Sequence, residues 1–313
     1  MIQHLLITRF NLRISQWCSD KRGEKVLDDA WVRERLLLFE HFCLASVRGQ
    51  SRQDFRWLVL LDEDSTDFVR DSFARLCREY PRIEPVFLPP IESDRQISAA
   101  IGARVSPRTE VLATTRLDND DALRRDFFET LRRSMRGNRR EFLNPRFGYT
   151  YFRGEVQVMS HRYSPFVTLV EPATQGPFVS VHCGLPHGRS RRLAPVRQLP
   201  ATPYWIHGIH GRNLANCAPG ERRRSNRGLP RRLAGWVKSR LLKPIRRQFW
   251  PADWRRPRPF AEIAADFSIE PDKAEAAFPD AGVTAQTQPS PMRGPSRGRT
   301  QFTRDVGGHV ELP

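Results

Sequence analysis

The stretch Glu110-Val-Leu-Ala-Thr-Thr-Arg-Leu-Asp-Asn-Asp-Asp-Ala-Leu123 joins a largely apolar run to an acidic turn. The run is typical of a buried strand, which would deliver Asp118 to its carboxyl end. Asp120 and Asp121 follow closely, and three neighbouring carboxylates repel one another unless a cation neutralises them. Because open α/β sheets bind ligands at the carboxyl ends of their strands, the stretch predicts a site for a hard divalent ion. The simpler alternative is an acidic turn that caps the next helix.

Strand-like and helix-like stretches alternate around this turn from Ile2 to about Cys217. Continuous apolar runs predict strands at His4–Thr8, Phe55–Asp62 and Pro85–Leu88, and wider apolar spacing predicts helices at Trp31–Val47, Thr66–Glu79, Ser93–Val105 and Asp126–Arg136. This alternation predicts an α/β fold with a mostly parallel central sheet and helices on both faces. After Phe142 the pattern changes to a hairpin and further strands, which predicts a mixed second half.

Composition excludes several classes of protein. The longest purely aliphatic run, Leu58–Leu61, is far shorter than the ~20 apolar residues of a membrane span, and the first residues lack the features of a secretory signal. The five cysteines are scattered and never spaced as C-x-x-C, which excludes a zinc ribbon and argues against a disulfide framework. These features predict a cytoplasmic protein.

The net charge of +17 is concentrated in one segment. Residues 219–258 contain 14 Lys and Arg against 2 Asp and Glu. We therefore predict a domain at 1–218, a basic amphipathic segment at 219–258, and a largely disordered Pro-, Ala- and Ser-rich tail at 259–313. The apolar face around Trp236 is typical of a helix that lies on an anionic membrane, and a helix packed on the domain is the alternative. No nucleic-acid partner is expected, because no binding module accompanies the arginines.

Several motifs occur in an order that resembles a known fold. Ser46-Val-Arg-Gly-Gln50 precedes the strand Trp57–Leu61, which runs into Asp62-Glu-Asp-Ser-Thr-Asp67, and Arg116–Asp121 follows later. This order resembles the nucleotide-sugar transferases of the GT-A fold, in particular glycosyltransferase family 2, although that family usually has Gly at the position of Asp64. With Thr8-Arg-Phe-Asn11, the chain resembles more narrowly a rhamnosyltransferase family of bacteria over roughly residues 1–215.

The resemblance implies roles for individual residues. Asp62 matches the carboxylate that accepts a hydrogen bond from the imide of a uracil or thymine base, with Thr8 and Arg9 beside the base and the ribose. Asp118 and Asp120 match the pair that holds the ribose and a divalent metal, Mn²⁺ or Mg²⁺, which bridges the phosphates of the donor. The mixed half would then be the acceptor side of the fold.

Two further candidates lie in the second half of the domain. His210 is a candidate third metal ligand, since several GT-A families have a late histidine in that role, and His207 could supply it instead. A simply hydrogen-bonded histidine is the alternative for both. Glu171 ends the apolar run Phe166–Val170, where a catalytic base could lie. A solvated glutamate at a strand end is the alternative for this residue.

These observations together predict a metal-dependent glycosyltransferase. It would move a sugar, with rhamnose as the candidate, from a nucleotide-diphosphate donor to a glycan or lipid-linked acceptor, with peripheral contact at the inner face of the plasma membrane. One rival is a nucleotidyltransferase, which would need a glycine-rich loop that residues 6–16 do not contain. A second rival is a non-enzymatic basic binding protein whose acidic turn is structural.

Overall fold

The computed structural model describes residues 1–14, 27–185, 187–210 and 250–278. The helices in these ranges are α1 (Asp29–Leu38), α2 (Ala45–Arg48), α3 (Asp67–Glu79), α4 (Asp94–Gly102), α5 (Phe127–Ser134) and α6 (Pro271–Ala277). The strands are β1 (Ile2–Arg9), β2 (Arg56–Asp62), β3 (Ile83–Leu88), β4 (Val111–Arg116), β5 (Ala122–Leu123), β6 (Glu141–Asn144), β7 (Phe147–Phe152), β8 (Glu155–Ser160), β9 (Thr168–Pro172), β10 (Val196–Gln198), β11 (Pro203–Gly208) and β12 (Arg258–Pro259).

In the described residues, the central sheet has the strand order β10–β6–β9–β4–β1–β2–β3. Strands β3, β2, β1 and β4 are parallel neighbours, whereas β9 is antiparallel to β4 and to β6. Trp57–Leu61 in β2 is fully buried, as expected for a central strand that is covered on both faces. Phe73 of α3 and Leu131 of α5 pack on one face, and Ile97 of α4 packs on the other. The structure confirms the predicted α/β class, the mostly parallel sheet and the helices on both faces.

The helix expected at Trp31–Val47 is interrupted by a π-helical turn at Phe39–Leu44, between α1 and α2. Within this turn Phe39 packs against Trp57 of the central sheet, with ring centroids 5.2 Å apart. Phe42 packs instead against Tyr151 of β7, at 5.7 Å. A π-helical turn widens the spacing of side chains around the helix axis, so neighbouring aromatic residues reach two different sheets.

The second half of the domain forms its own sheet, in the order β12–β8–β7–β11–β5. Strands β7 and β8 form the predicted antiparallel hairpin, while β11 is parallel to β7 and antiparallel to β5. Because β5 begins at Ala122, directly after the acidic turn, this turn is the first of several places where the chain passes between the central sheet and the second sheet.

The C-terminal part of the described chain differs from the sequence-based expectation. Residues 259–278, expected in a disordered tail, contain turns of 3-10 helix and α6, and Phe260, Ile263 and Phe267 are buried against the second sheet. These apolar residues are few and irregularly spaced, so no helical or strand periodicity reveals them. The basic segment at 219–258 lies outside the described residues up to residue 249.

Candidate functional site

Charged side chains gather at the carboxyl ends of three neighbouring parallel strands. Arg9 ends β1, Asp62 ends β2 and Arg116 ends β4, two residues before Asp118. Since β1 lies between β2 and β4, these residues share one edge of the central sheet. This is the edge where open α/β sheets bind ligands.

Each carboxylate of the acidic turn has a cationic or imidazole partner from the protein itself. Asp118 accepts hydrogen bonds from Arg116 Nη2 at 2.9 and 3.1 Å. Asp120 Oδ2 accepts from Arg35 Nη1 at 2.7 Å. Asp121 Oδ1 lies 3.1 Å from the Nδ1 atom of His207. In the sequence, the repulsion between these carboxylates suggested a bound metal. In the structure, arginine and histidine side chains of the protein offset that repulsion.

The protonation of the three carboxylates reflects these partners. Burial opposes ionisation of Asp120, but the charge of Arg35 together with the hydrogen bond and charge of His210 holds the pKa of that carboxyl below its usual range. Burial likewise opposes ionisation of Asp118, and the charges of Arg116 and Arg9 lower its pKa. Asp121 lacks a comparable guanidinium, so burial raises its pKa to about 7.

The candidate metal ligands do not fit a metal site as they stand. His210 Nε2 lies 3.1 Å from Asp120 Oδ2, the oxygen that also accepts from Arg35. Both oxygens of Asp118 accept hydrogen bonds from Arg116. Nowhere in the described ranges do three or more His, Cys, Asp or Glu side chains form a group that could hold a metal ion. A divalent cation on Asp118 and Asp120 would therefore have to displace two guanidinium groups.

The carboxylate of Asp62 lies in the predicted position at the end of β2, and Arg13 already binds it. Arg13 Nη2 donates to Asp62 Oδ1 at 3.0 Å, and its Nε donates to the other oxygen. The backbone N–H of Asp62 donates to Asn11 Oδ1 at 3.2 Å, which ties the end of β2 to the turn after β1. A base that used Asp62 would have to share this carboxylate with Arg13 or displace it.

Thr8 does not lie at the site, contrary to the expectation from the sequence. Successive side chains of a strand point to opposite faces, and Thr8 lies on the face opposite to Arg9. Its hydroxyl is fully buried and accepts a hydrogen bond from Trp57 Nε1 at 2.9 Å. Because side chains alternate along β1, Arg9 reaches the strand-end cluster and Thr8 does not.

Glu171 does not reach the acidic turn. It pairs with Leu112, near the amino end of β4, and is fully buried. Its two carboxylate oxygens accept the backbone N–H groups of Val179 and Ser180, each at 2.9 Å. This geometry gives no support to the predicted role as a catalytic base, and it assigns Glu171 the structural task of holding the loop after β9.

Two site residues were missed by the sequence analysis. Arg35 lies within an apparently ordinary amphipathic helix, and nothing in its local sequence marks it as the partner of Asp120. His182 is 6% exposed, and its Nε2 atom has no hydrogen-bond partner among the described residues. Burial and the charges of Arg9 and Arg116 lower the pKa of His182 well below its ordinary value, so the imidazole is neutral.

A cavity of ≈ 550 Å³ lies elsewhere on the molecule. It is lined by residues of the π-helical turn, of α2 and of the segment before α6, among them Glu40, Arg48 and Glu270. None of the predicted site residues lines this cavity.

Comparisons with known proteins complete the description of the site. The chain matches the family described as "Putative rhamnosyl transferase" over residues 3–222. No curated protein is significantly similar to it in sequence.

Two solved structures illustrate the similarity of fold. S. aureus TarS 1-349 in complex with UDP-GlcNAc is 13% identical, with a TM-score of 0.42 over 68% of this chain and 60% of that chain. A putative nucleotide-diphospho-sugar transferase from Desulfovibrio desulfuricans G20 is 12% identical, with a TM-score of 0.37 over 66% of this chain and 80% of that chain. The chain thus spans 60% of the length of the TarS fragment, and at these TM-scores neither similarity carries an argument about donor or acceptor.

Proposed function

The chain belongs to the putative rhamnosyl transferase family, and on that premise we propose that it is a glycosyltransferase that uses a nucleotide-diphosphate sugar. The observation that carries the proposal is the cluster of Arg9, Asp62, Arg116 and Asp118 at the carboxyl ends of β1, β2 and β4. A nucleotide carries both hydrogen-bond donors, in its base and ribose, and negative charge, in its phosphates. A cluster that contains carboxylates and guanidiniums side by side complements both features.

Individual roles follow from the position of each group. Asp118 is 32% exposed in its side chain, so a ligand can reach it, and its carboxylate suits the hydroxyls of a ribose. Asp62 suits the imide of a uracil or thymine base, as the resemblance implied. When the bond between sugar and phosphate breaks, negative charge grows on the departing diphosphate, and positive groups placed there stabilise the transition state. The carboxylates of the acidic turn are already bound by arginines and do not fit a metal as they stand, and metal dependence stays a prediction.

Rhamnose as the donated sugar and a glycan or lipid-linked molecule as the acceptor belong to the same proposal. We also propose peripheral contact with anionic membrane through the basic segment at 219–258, most of which lies outside the described residues. Among the helices of the described chain, none is long and apolar enough to cross a bilayer. Vesicle flotation of a variant with the Lys and Arg of 219–249 changed to Gln, compared with the full chain, tests the contact.

The enzymatic proposal is tested with a panel of uridine- and thymidine-diphosphate sugars. The purified full chain is incubated with each donor and with lipid-linked or glycan acceptors, once with Mn²⁺ and once with EDTA, and release of nucleoside diphosphate is measured. We expect release from one donor class, strongly reduced in an Asp118→Asn variant. Release of pyrophosphate from a nucleoside triphosphate and a sugar phosphate would instead identify a nucleotidyltransferase and contradict the proposal.

A further inference from the structure

Two arginines lie side by side on one face of the central sheet. In the parallel pairing of β1 with β4, Ile7 is the register partner of Arg116. Paired residues of neighbouring strands point to the same face, and Arg9 lies two positions after Ile7, so Arg9 and Arg116 share that face. Both are at the carboxyl end of their strands, next to Asp118.

The two guanidinium groups converge on a single oxygen atom. Arg116 Nη2 lies 3.1 Å and Arg9 Nη2 lies 3.8 Å from Asp118 Oδ1. Their side chains are 25% and 14% exposed, so water reaches them only in part. Asp94, in the first turn of α4, is a second carboxylate whose charge acts on both arginines. Arg9 is the more enclosed of the two arginines, and Arg116 the more open.

His182 adds an unused polar atom to the same place. The preceding residue, Val181, donates its backbone N–H to Thr114 Oγ1 of β4 at 2.8 Å, two positions before Arg116. The buried Nε2 atom of His182 has no hydrogen-bond partner in the described chain. The backbone around it is fixed, because Ser98 Oγ donates to the carbonyl of His182 at 2.7 Å. A buried polar atom without a partner costs free energy, and a bound water or ligand is one way in which native proteins satisfy such an atom.

We propose that Arg9, Arg116 and His182 bind the diphosphate of the donor, with Asp118 holding the two guanidiniums in place. The inference rests on the proposed function and deepens it, since it assigns the charge of the leaving diphosphate to arginines of the chain. Planar guanidinium groups bind phosphate oxygens with paired hydrogen bonds, and a neutral imidazole can donate one more through Nε2. Glu171 is then a positioning residue, because it holds the backbone of Val179 and Ser180 just before His182.

The test is calorimetric titration of the full chain, in EDTA, with UDP, dTDP, uridine and inorganic pyrophosphate. We expect the wild type to bind a nucleoside diphosphate and pyrophosphate, and Arg9→Gln and Arg116→Gln each to weaken both at least tenfold while uridine binding stays unchanged. Arg56→Gln is the matched control, since Arg56 lies at the amino end of β2 and is 47% exposed. If Arg116→Gln does not fold, Arg116→Lys keeps the charge and should still weaken binding severalfold.

His182 is tested by a pair of variants. His182→Gln retains a side-chain donor and should stay closer to wild-type affinity for UDP than His182→Leu. Arginine variants that bind UDP and pyrophosphate as tightly as the wild type does would overturn the inference, and so would a wild type that binds neither. Arginine-dependent binding of pyrophosphate together with no turnover of any nucleotide sugar would contradict the proposed function and leave the anion site standing.

Discussion

Arg35 Nη1 lies 2.7 Å from Asp120 Oδ2, and both side chains are almost fully buried, at 6% and 11% exposed. The pair joins α1 to the acidic turn, and Arg35 also donates to Asn119 Oδ1 at 3.2 Å. The conformation of the turn therefore depends on a cation that the chain supplies from 85 residues earlier.

Asp120→Asn should destabilise the protein. The substitution leaves the guanidinium of Arg35 buried without a counter-charge, and removing one partner of a buried pair typically costs about 3 kcal/mol or more. Chemical denaturation measures the free energy of unfolding. Asp54→Asn is the control, because Asp54 pairs with Arg52 at a position 59% exposed, where little change is expected.

A second variant separates charge balance from metal binding. Arg35→Met combined with Asp120→Asn removes both members of the buried pair and should recover part of the lost stability. If Asp120→Asn unfolds like the wild type and loses only transfer activity, the stabilising role of the pair is wrong and a metal-ligand role gains support.

The stability of the protein should fall in mild acid because of His4. Burial lowers the pKa of His4 to about 4, and its Nε2 lies 2.8 Å from Thr115 Oγ1. Between pH 4 and the ordinary histidine value of about 6.5, the unfolded chain binds a proton that the folded chain excludes. Stability is thus complete above this window and is lost as the pH falls through it, by up to about 3 kcal/mol.

Denaturation curves from pH 7.5 to 4.5 for the wild type and His4→Gln measure this contribution. The variant should show the smaller decline, since His182 and His210, whose pKa values are also lowered by burial, remain in both proteins. Parallel declines in the two proteins would show that His4 is not the source.

Glu171→Gln should act through the loop that carries His182. A glutamine has one acceptor oxygen and one NH₂ group, so one of the N–H groups of Val179 and Ser180 loses its partner, at a cost of about 1–3 kcal/mol. We expect lower stability and weaker UDP binding, with the pH profile of turnover unchanged. Glu110→Gln is the control, because the side chain of Glu110 is 82% exposed. A shift of the basic limb of the pH profile would instead support Glu171 as a catalytic base.

A chain that ends at residue 249 should be much less stable than one that ends at Phe278. The shorter chain loses Phe260 and Phe267, both 2% exposed or less, and burial of one such side chain contributes about 1.5–3 kcal/mol. It also loses Phe278, whose ring lies 6.0 Å from that of His210. Thermal unfolding of the two truncated chains compares them. Equal melting temperatures would show that residues 250–278 do not support the domain.

The sequence predicted those strands and turns that follow from the local order of apolar and charged residues. Trp57–Leu61 is apolar throughout because β2 is covered on both faces, and the acidic turn follows the end of β4 at Arg116, as its sequence predicted. The π-helical turn at Phe39–Leu44 was not predicted, since its apolar residues also fit a regular helix.

The partners of the site residues could not be predicted in the same way. Arg35 and His210 contact Asp120 only once α1 and the end of β11 are packed against the acidic turn. The spacing of these residues in the sequence does not predict that packing. The register of β1 decides which face of the sheet Arg9 and Thr8 each occupy. A shift of one residue would move each side chain to the opposite face. The order of the motifs therefore predicted which strand ends lie together, while tertiary packing determined which side chains meet there.

The ring of Phe42 contacts that of Phe278, which is synthesised more than two hundred residues later. Contacts between such distant residues slow folding, because a long loop must close before they form. During translation the central sheet can assemble once residues up to Gln198 of β10 are synthesised. The apolar side of the second sheet is covered only after Phe260, Phe267 and Phe278 have left the ribosome. We therefore expect a nascent chain stalled before residue 250 to need a chaperone, and refolding to end with a slow step in which the C-terminal residues dock.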